Sequence, residues 1–188
     1  LTYTRTLVAE LSPPVLREHG LLAGVKWLAE WMQRHDLQVT VESQRDAIAL
    51  PEEQPLLLFQ SVRELLINSA KHAKCHQASV EIIQEEDALC LSVRDSGVGF
   101  EKDNIVATAT AGSSKFGLFS IRERMKALGG SFQIVTALGQ GTMCTLRLPR
   151  TDRDASQADK AHFGSESSKL PEAVPRKTGT IGVVLVDD

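Results

Sequence analysis

The chain has 188 residues, of which 42% are hydrophobic and 24% charged, and its formal net charge is −3. This composition is typical of a globular protein with a real core, and the lack of a basic excess argues against nucleic-acid binding. No segment approaches the roughly 18 apolar residues of a membrane-spanning helix. The three cysteines have no metal-ligand spacing, so we expect free thiols in a reducing cytoplasm and any membrane anchor outside this sequence.

The first part of the chain predicts two helices and a strand. Residues 1–11 are typical of the end of a helix, and the pair Pro13-Pro14 stops it because proline lacks an amide donor. Apolar residues at helical spacing predict a second helix over residues 21–34. Residues 37–41 then alternate between apolar and polar side chains, which predicts a strand.

The longest predicted helix covers residues 51–75 and carries an unusual set of polar side chains. Glu64, Asn68 and either Lys71 or His72 lie at helical offsets and therefore share one face. Oxygen ligands suit a hard metal ion and cationic groups suit phosphates, so this face could hold a metal polyphosphate. The alternative is a solvated helix face with an ion pair.

A predicted hairpin of residues 79–84 and 88–95 comes next, with an acidic turn between its strands. It ends at Asp95, which could accept a hydrogen bond from an exocyclic amine. Gly97 and Gly99 follow directly, and glycine lets the backbone approach a ligand closely or adopt positive φ. A tight turn after a strand is the alternative explanation of these glycines.

Residues 97–117 predict a long loop, and loops of that length are uncommon unless they are functional. The next helix is predicted over residues 118–128. Lys115, Gly117 and Leu118 lie where it opens, and the free amides at a helix start favour anions such as phosphate.

The remaining predicted elements are two strands, a linker and one further strand. Residues 131–136 and 142–148 form the strands, with Gly139-Gln-Gly141-Thr142 at the turn between them. Residues 151–180 have the polar composition of a linker. Residues 181–188 predict an apolar strand that ends in two acids. A lone strand is not stable by itself, so it would pair with a neighbour, be disordered or begin a further domain.

These motifs, in this order, resemble the histidine-kinase ATPase superfamily, which has the Bergerat fold. Residues 64–73 resemble its asparagine box, residues 95–99 its first glycine box, residues 117–118 its second, and residues 139–142 its closing glycine–threonine element. Together with residues 11–22, they are similar to the nitrate-sensor and desaturase-sensor kinases. The classical phosphate loop and the dinucleotide fingerprint are both absent from the sequence.

The resemblance implies a fold, two cofactors and a set of site residues. The fold is an α/β two-layer sandwich with a mixed sheet, helices on one face and a mobile ATP lid. The cofactors are ATP and Mg²⁺. The implied roles are a catalytic acid for Glu64, Mg²⁺ coordination for Asn68, phosphate contacts for Lys71 and His72, the adenine amino group for Asp95, the base pocket for Gly97 and Gly99, the lid for Gly117 and Leu118, and a position near the adenine for Thr142.

The resemblance also implies a domain order and partners. Residues 1–14 would end a dimerisation and phosphoacceptor helical hairpin, residues 15–150 would form the catalytic domain, residues 151–180 a linker, and residues 181–188 the first strand of a truncated receiver domain. The enzyme would be a homodimer that transfers the γ-phosphoryl group of ATP to a histidine preceding Leu1, for relay to an aspartate of a response regulator or receiver.

Two features depart from the family's pattern, and two other functions stay open. Lys115 and Ser120 flank the second glycine box where further glycines are common, and none of the five histidines has a phosphoacceptor context. One alternative is a protein-serine kinase of the anti-sigma-factor type, from the same superfamily. The other is a signalling module that has lost nucleotide binding. The histidine-kinase prediction requires that Asn68 and Asp95 share one cavity.

Overall fold

A computed structural model of the chain describes residues 13–51, 53–101 and 114–150. Three of the predicted segments therefore lie outside the described residues: the helix end over residues 1–11, the linker over residues 151–180 and the last strand over residues 181–188. Most of the predicted loop over residues 97–117 lies outside them as well.

Within these ranges, five strands form one mixed sheet in the order β1-β2-β3-β5-β4. β1 and β2 are parallel, whereas the other neighbouring pairs are antiparallel. The predicted α/β class and mixed sheet are confirmed. The strands are Gln38–Ser43 (β1), Gln77–Gln84 (β2), Ala88–Asp95 (β3), Ser131–Thr136 (β4) and Thr142–Pro149 (β5).

The part of the chain that the structure describes contains three α-helices, which form a layer on the sheet: Pro14–Met32 (α1), Gln54–Asn68 (α2) and Ser114–Ala127 (α3). α1 begins at Pro14 rather than at residue 21, because proline is well tolerated in a first helical turn. Gly20, with φ 78° and ψ −174°, makes a corner inside α1, which explains why the apolar periodicity becomes regular only after it.

Alternation along the strands sends one set of side chains into the core between the sheet and the helices. Val80, Leu91 and Leu146 are fully buried on this side, against helix residues such as Leu58 and Phe59. The opposite side of the sheet carries half-buried or exposed side chains, such as those of Ser79, Glu81 and Arg94. A strand whose side chains alternate in this way buries one face only, so the helices cover one side of the sheet, as the sequence predicts.

None of the described helices combines the length and the apolar character needed to cross a bilayer. All three cysteines are free thiols, as expected.

Candidate functional site

The C-terminal end of α2 widens into a π-helical turn, Ser69–Ala73. A π-helical turn changes the angular spacing of the side chains that follow it, and such turns are frequent at functional sites. Asn68, Ser69 and His72 consequently line a cavity between the end of α2 and the sheet, while the exposed Lys71 does not line it. Lys74 then ends the turn in a left-handed conformation, with φ 54°.

The last residue of β3 holds a buried carboxylate over the same cavity. Asp95 is only 7% exposed. Its Oδ2 atom accepts a hydrogen bond of 2.9 Å from the Ser69 hydroxyl, and its Oδ1 atom accepts one of 3.0 Å from the Gly97 amide. These two donors fix the orientation of the carboxylate, and each oxygen keeps a lone pair that a ligand can use.

The backbone after Asp95 passes so close to its neighbours that side chains are excluded. A Cβ atom on Gly97 would overlap the carbonyl oxygen of Ala73, and the next amide, of Val98, donates a 2.8 Å hydrogen bond to that oxygen. Gly99 has φ 58°, and a Cβ atom there would overlap the carbonyl oxygen of Ala137. The two glycines therefore let this segment lie between the π-helical turn and the turn that joins β4 to β5.

A row of polar side chains continues across the sheet from Asp95. Register places Asp95 opposite Thr142 and Thr142 opposite Thr136, on the neighbouring strands β3, β5 and β4. The Thr136 hydroxyl accepts a hydrogen bond of 3.1 Å from the Phe100 amide and donates one of 3.1 Å to the Gly141 carbonyl. It also lies 3.3 Å from the Thr142 hydroxyl.

These elements enclose a cavity of about 340 Å³, a volume that falls within the range of small-molecule sites. Burial raises the pKa of the Cys144 thiol to about 12, with a smaller contribution from the charge of Asp95, so Cys144 presents a neutral thiol. The cavity is lined by Leu65, Asn68, Ser69, His72, Ala73, Val93, Asp95, Gly99, Phe100, Leu118, Ile134, Thr142 and Cys144.

The amide of Asn68 has the chemistry of a group that binds a polar ligand. Its Nδ2 atom is buried and has no hydrogen-bond partner among the residues that the structure describes. A buried polar group without a partner is unfavourable by roughly 1–3 kcal/mol, and such groups are rare in folded proteins. An amide also fits the chemistry of the predicted group, since its oxygen is a ligand for Mg²⁺ and its nitrogen donates to phosphate oxygens.

The structure brings most of the predicted site residues together. Gly97 lies in the wall just behind the cavity, and Gly117 lies against the side chain of the half-buried Glu64, which itself does not line it. Lys71 also remains outside the described cavity. The predicted residues that line the cavity are Asn68, His72, Asp95, Gly99, Leu118 and Thr142.

Gly117 lies inside a helix, whereas the sequence predicts it just before the helix begins. α3 begins at Ser114 rather than at residue 118, so Gly117 lies inside the first turns of the helix and not in front of it. A Cβ atom at Gly117 would overlap the Glu64 carboxylate. A larger residue at this position would therefore have to displace the Glu64 side chain.

Sequence reasoning missed several residues of the site. Thr136 was missed because a hydroxyl inside an apolar run carries no signal of its own, and Ser69 was missed because the sequence gives no sign of the π-helical turn that begins there. The apolar wall residues could only have been found from strand register and helix packing. The missed residues are Leu65, Ser69, Ala73, Val93, Phe100, Ile134, Thr136 and Cys144.

Comparison with known families gives a match over the segment that forms this cavity. The family described as histidine kinase-, DNA gyrase B-, and HSP90-like ATPase matches residues 53–152. The match begins at the start of α2 and ends just after β5, so it includes every residue that lines the cavity.

Two curated proteins of Bacillus subtilis (strain 168) are among the relatives. The chain is 29% identical to the sensor histidine kinase ComP over 142 residues, which are 75% of this chain and 18% of ComP. It is 29% identical to the sensor histidine kinase LiaS over 163 residues, which are 82% of this chain and 43% of LiaS. The chain thus spans less than half the length of these relatives.

A solved structure shares the fold. The histidine kinase AdeS of Acinetobacter baumannii superimposes with a TM-score of 0.58 at 12% sequence identity, over 80% of this chain and 79% of that one. Similarity at this level of identity concerns the arrangement of the helices and strands alone.

Proposed function

The chain belongs to the family of histidine kinase-, DNA gyrase B-, and HSP90-like ATPases, and on this basis we propose that it is the ATP-binding catalytic domain of a two-component sensor histidine kinase. The observation that carries the proposal is that Asn68 and Asp95, which are 27 positions apart, line one cavity of about 340 Å³. The likeness to ComP and LiaS supports the choice of kinase within the family.

The adenine base would occupy the end of the cavity formed by the sheet. There the carboxylate of Asp95 is fixed by two hydrogen bonds and can accept a third from the amino group of the base. Apolar walls from Val93, Ile134 and Leu118 exclude water from the flat faces of the ring. Gly97 and Gly99 bring the backbone close to this end of the cavity.

The phosphates and Mg²⁺ would lie at the α2 end of the cavity. Asn68 would coordinate the metal, while Lys71 and His72 would face the phosphates. Bound MgATP would supply the γ-phosphoryl group and the neutralisation of its charge. The lid role of Gly117 and Leu118 and the catalytic role of Glu64 also remain proposals. Their support is that Leu118 lines the cavity and that Glu64 packs against the first turns of α3.

The remaining proposals concern the whole protein. We propose that the phosphoryl group passes to a histidine of a homodimeric helical hairpin and then to an aspartate of a response regulator or receiver domain. A cytoplasmic location of this domain is supported by its three free cysteines.

A nucleotide titration tests the proposed ligand. We expect the chain to bind a fluorescent ATP analogue in the presence of Mg²⁺ with a dissociation constant below about 1 mM. In Asp95→Asn the new amide can keep both internal hydrogen bonds, because the Ser69 hydroxyl can accept as well as donate. The loss of a charged acceptor should still weaken binding by roughly tenfold to a hundredfold.

Asp87→Asn is the matched control, because the same substitution is made at the other end of β3. Asp87 is exposed and pairs with Arg147 at the β2–β3 turn, far from the cavity along the strand. It should leave the affinity unchanged. If the unmodified chain does not bind at about 1 mM nucleotide, or if Asp95→Asn binds as well as Asp87→Asn, the proposal is wrong.

The nature of the phosphorylated residue separates the histidine kinase from the serine-kinase alternative. The full-length protein, incubated with radiolabelled ATP and its regulator, should carry a label that acid removes, since phosphohistidine is acid-labile. A label that survives acid would identify phosphoserine and would favour the alternative.

A further inference from the structure

We propose that Thr136, a buried residue that does not line the cavity, is a positioning residue that fixes the hydroxyl of Thr142 as a hydrogen-bond acceptor and so contributes to the choice of nucleobase. This inference rests on the proposed ATP-binding function and deepens it. It concerns the direction of a single hydrogen bond between two threonines on neighbouring strands.

The direction follows from the number of protons that are present. The Thr136 hydroxyl has one proton, and the Gly141 carbonyl, at 3.1 Å, can only accept it. The Phe100 amide, at 3.1 Å, can only donate, so it uses a lone pair of the same hydroxyl. With the proton and one lone pair of Thr136 used in this way, the 3.3 Å contact between Thr136 and Thr142 is satisfied when Thr142 is the donor.

A hydroxyl whose only proton points towards the sheet presents only lone pairs on its other side. Thr142 lines the cavity, so it offers an acceptor there. Asp95 lies opposite it in the β3–β5 register and also offers only lone pairs, because both of its hydrogen bonds are received. Two acceptors side by side match an exocyclic amine, which has two N–H groups, and they repel the carbonyl of a 6-oxopurine.

Burial favours this arrangement over the alternatives. Thr136 is 7% exposed, and its neighbour Gly141 has φ 74° with no room for a side chain against the Asp95 backbone. Water therefore has little access to the Thr136 hydroxyl, and a rotation of its proton would leave the Gly141 carbonyl without this donor. The turn between β4 and β5 thus determines that the Thr142 hydroxyl presents a hydrogen-bond acceptor, rather than a donor, to the base pocket.

The test compares two nucleotides that differ at one position of the ring. Competition titrations would give the affinities for ATP and for inosine triphosphate, in which an oxygen replaces the 6-amino group. In Thr136→Val the Thr142 hydroxyl loses its acceptor and can turn its proton into the cavity, towards that oxygen. The preference for ATP over inosine triphosphate should fall roughly fivefold, the factor of one ordinary hydrogen bond.

Two variants keep the result specific. Thr136→Ser retains the hydroxyl and should restore the preference. Thr145→Val removes a threonine hydroxyl of β5 that lies 3.3 Å from the Ser92 hydroxyl on the other side of the sheet, and it should not change the preference. The inference is overturned if Thr136→Val changes both affinities by the same factor or changes neither, or if Thr136→Ser loses the preference as well.

A different result would indicate failure of the proposed function itself, namely that the unmodified chain binds neither nucleotide. If Thr136→Val does not fold, as judged by its thermal unfolding, Thr136→Ala poses the same question, because alanine also lacks the hydroxyl and fits in the space that threonine leaves. The preference for ATP should then fall too, and an equal loss for both nucleotides would refute the inference.

Discussion

Gly97→Ala is expected to disrupt the site by a steric effect alone. Gly97 has no positive φ, so alanine meets no backbone strain there, but its methyl group would overlap the carbonyl group and the Cβ atom of Ala73. The segment after Asp95 must then move away from the π-helical turn. This movement would break the bond from the Val98 amide to Ala73 and loosen the bond from the Gly97 amide to Asp95.

The expected loss of stability in Gly97→Ala follows from these contacts. Overpacking costs about 1–3 kcal/mol, and the hydrogen bonds contribute about 1 kcal/mol for the neutral pair and about 2 kcal/mol for the charged one. Alanine restricts the unfolded chain and returns about 0.4–1 kcal/mol. The free energy of unfolding should therefore fall by about 3–6 kcal/mol. A domain of average stability would stay folded, but nucleotide binding should be lost.

Urea denaturation and the nucleotide titration would measure the two effects of Gly97→Ala. Gly139→Ala is the matched control, because Gly139 has φ 72° and no atom within 4 Å of an added Cβ atom. Only backbone strain remains there, with a cost of about 1–2 kcal/mol before the gain from the unfolded chain, and the affinity should be retained. If Gly97→Ala binds nucleotide normally and loses no more stability than Gly139→Ala, the steric argument is wrong.

Two further predictions concern groups away from the glycines. Iodoacetamide at pH 8 should modify the half-buried Cys75 but not Cys144, because burial and a pKa of about 12 keep Cys144 a protected thiol. Mass spectrometry would measure the order of modification, and modification of Cys144 before Cys75 would contradict the prediction. The bond with Arg147 lowers the pKa of Asp87, so its stabilisation is present at neutral pH. That contribution is lost as the pH falls from 3.8, the ordinary value, through the lower folded value. Urea denaturation of Asp87→Asn should therefore differ slightly from the unmodified chain at pH 7 and converge with it in strong acid; a difference that grows on acidification would contradict this sign.

The sheet could be predicted well because its signals are local. Residues 88–95 are rich in apolar residues that alternate with polar ones towards the end of the strand, and the acidic turn before them predicts a hairpin, so β2 and β3 were found with nearly correct bounds. The order of the strands has no such local signal. β5 lies between β3 and β4, and only this insertion brings Thr142 beside Asp95, which are 47 positions apart. The resemblance to a known family supplied what periodicity could not.

The site was predicted less completely because one turn at the end of α2 is π-helical, which changes the direction in which its side chains point. A regular α-helix through residue 75 would place Lys71 on the same face as Asn68. The π-helical turn Ser69–Ala73 changes that spacing, so that Ser69 reaches the Asp95 carboxylate and Lys71 is exposed. No residue in this turn is a helix breaker, so the sequence carries no local signal of it. The phosphate role of Lys71 stays a prediction.

The burial of Asp95 argues that a ligand, rather than stability, accounts for an acid at this position. None of the ion pairs among the described residues includes Asp95, and burial of a charge without a cationic partner is unfavourable. The hydrogen bonds from Ser69 and Gly97 reduce this cost without removing it, and a well-packed apolar residue is often neutral or stabilising in such a place. A carboxylate aimed into a cavity gains its full value only when a ligand brings donors to its free lone pairs, and in the proposed complex the amino group of adenine would supply them.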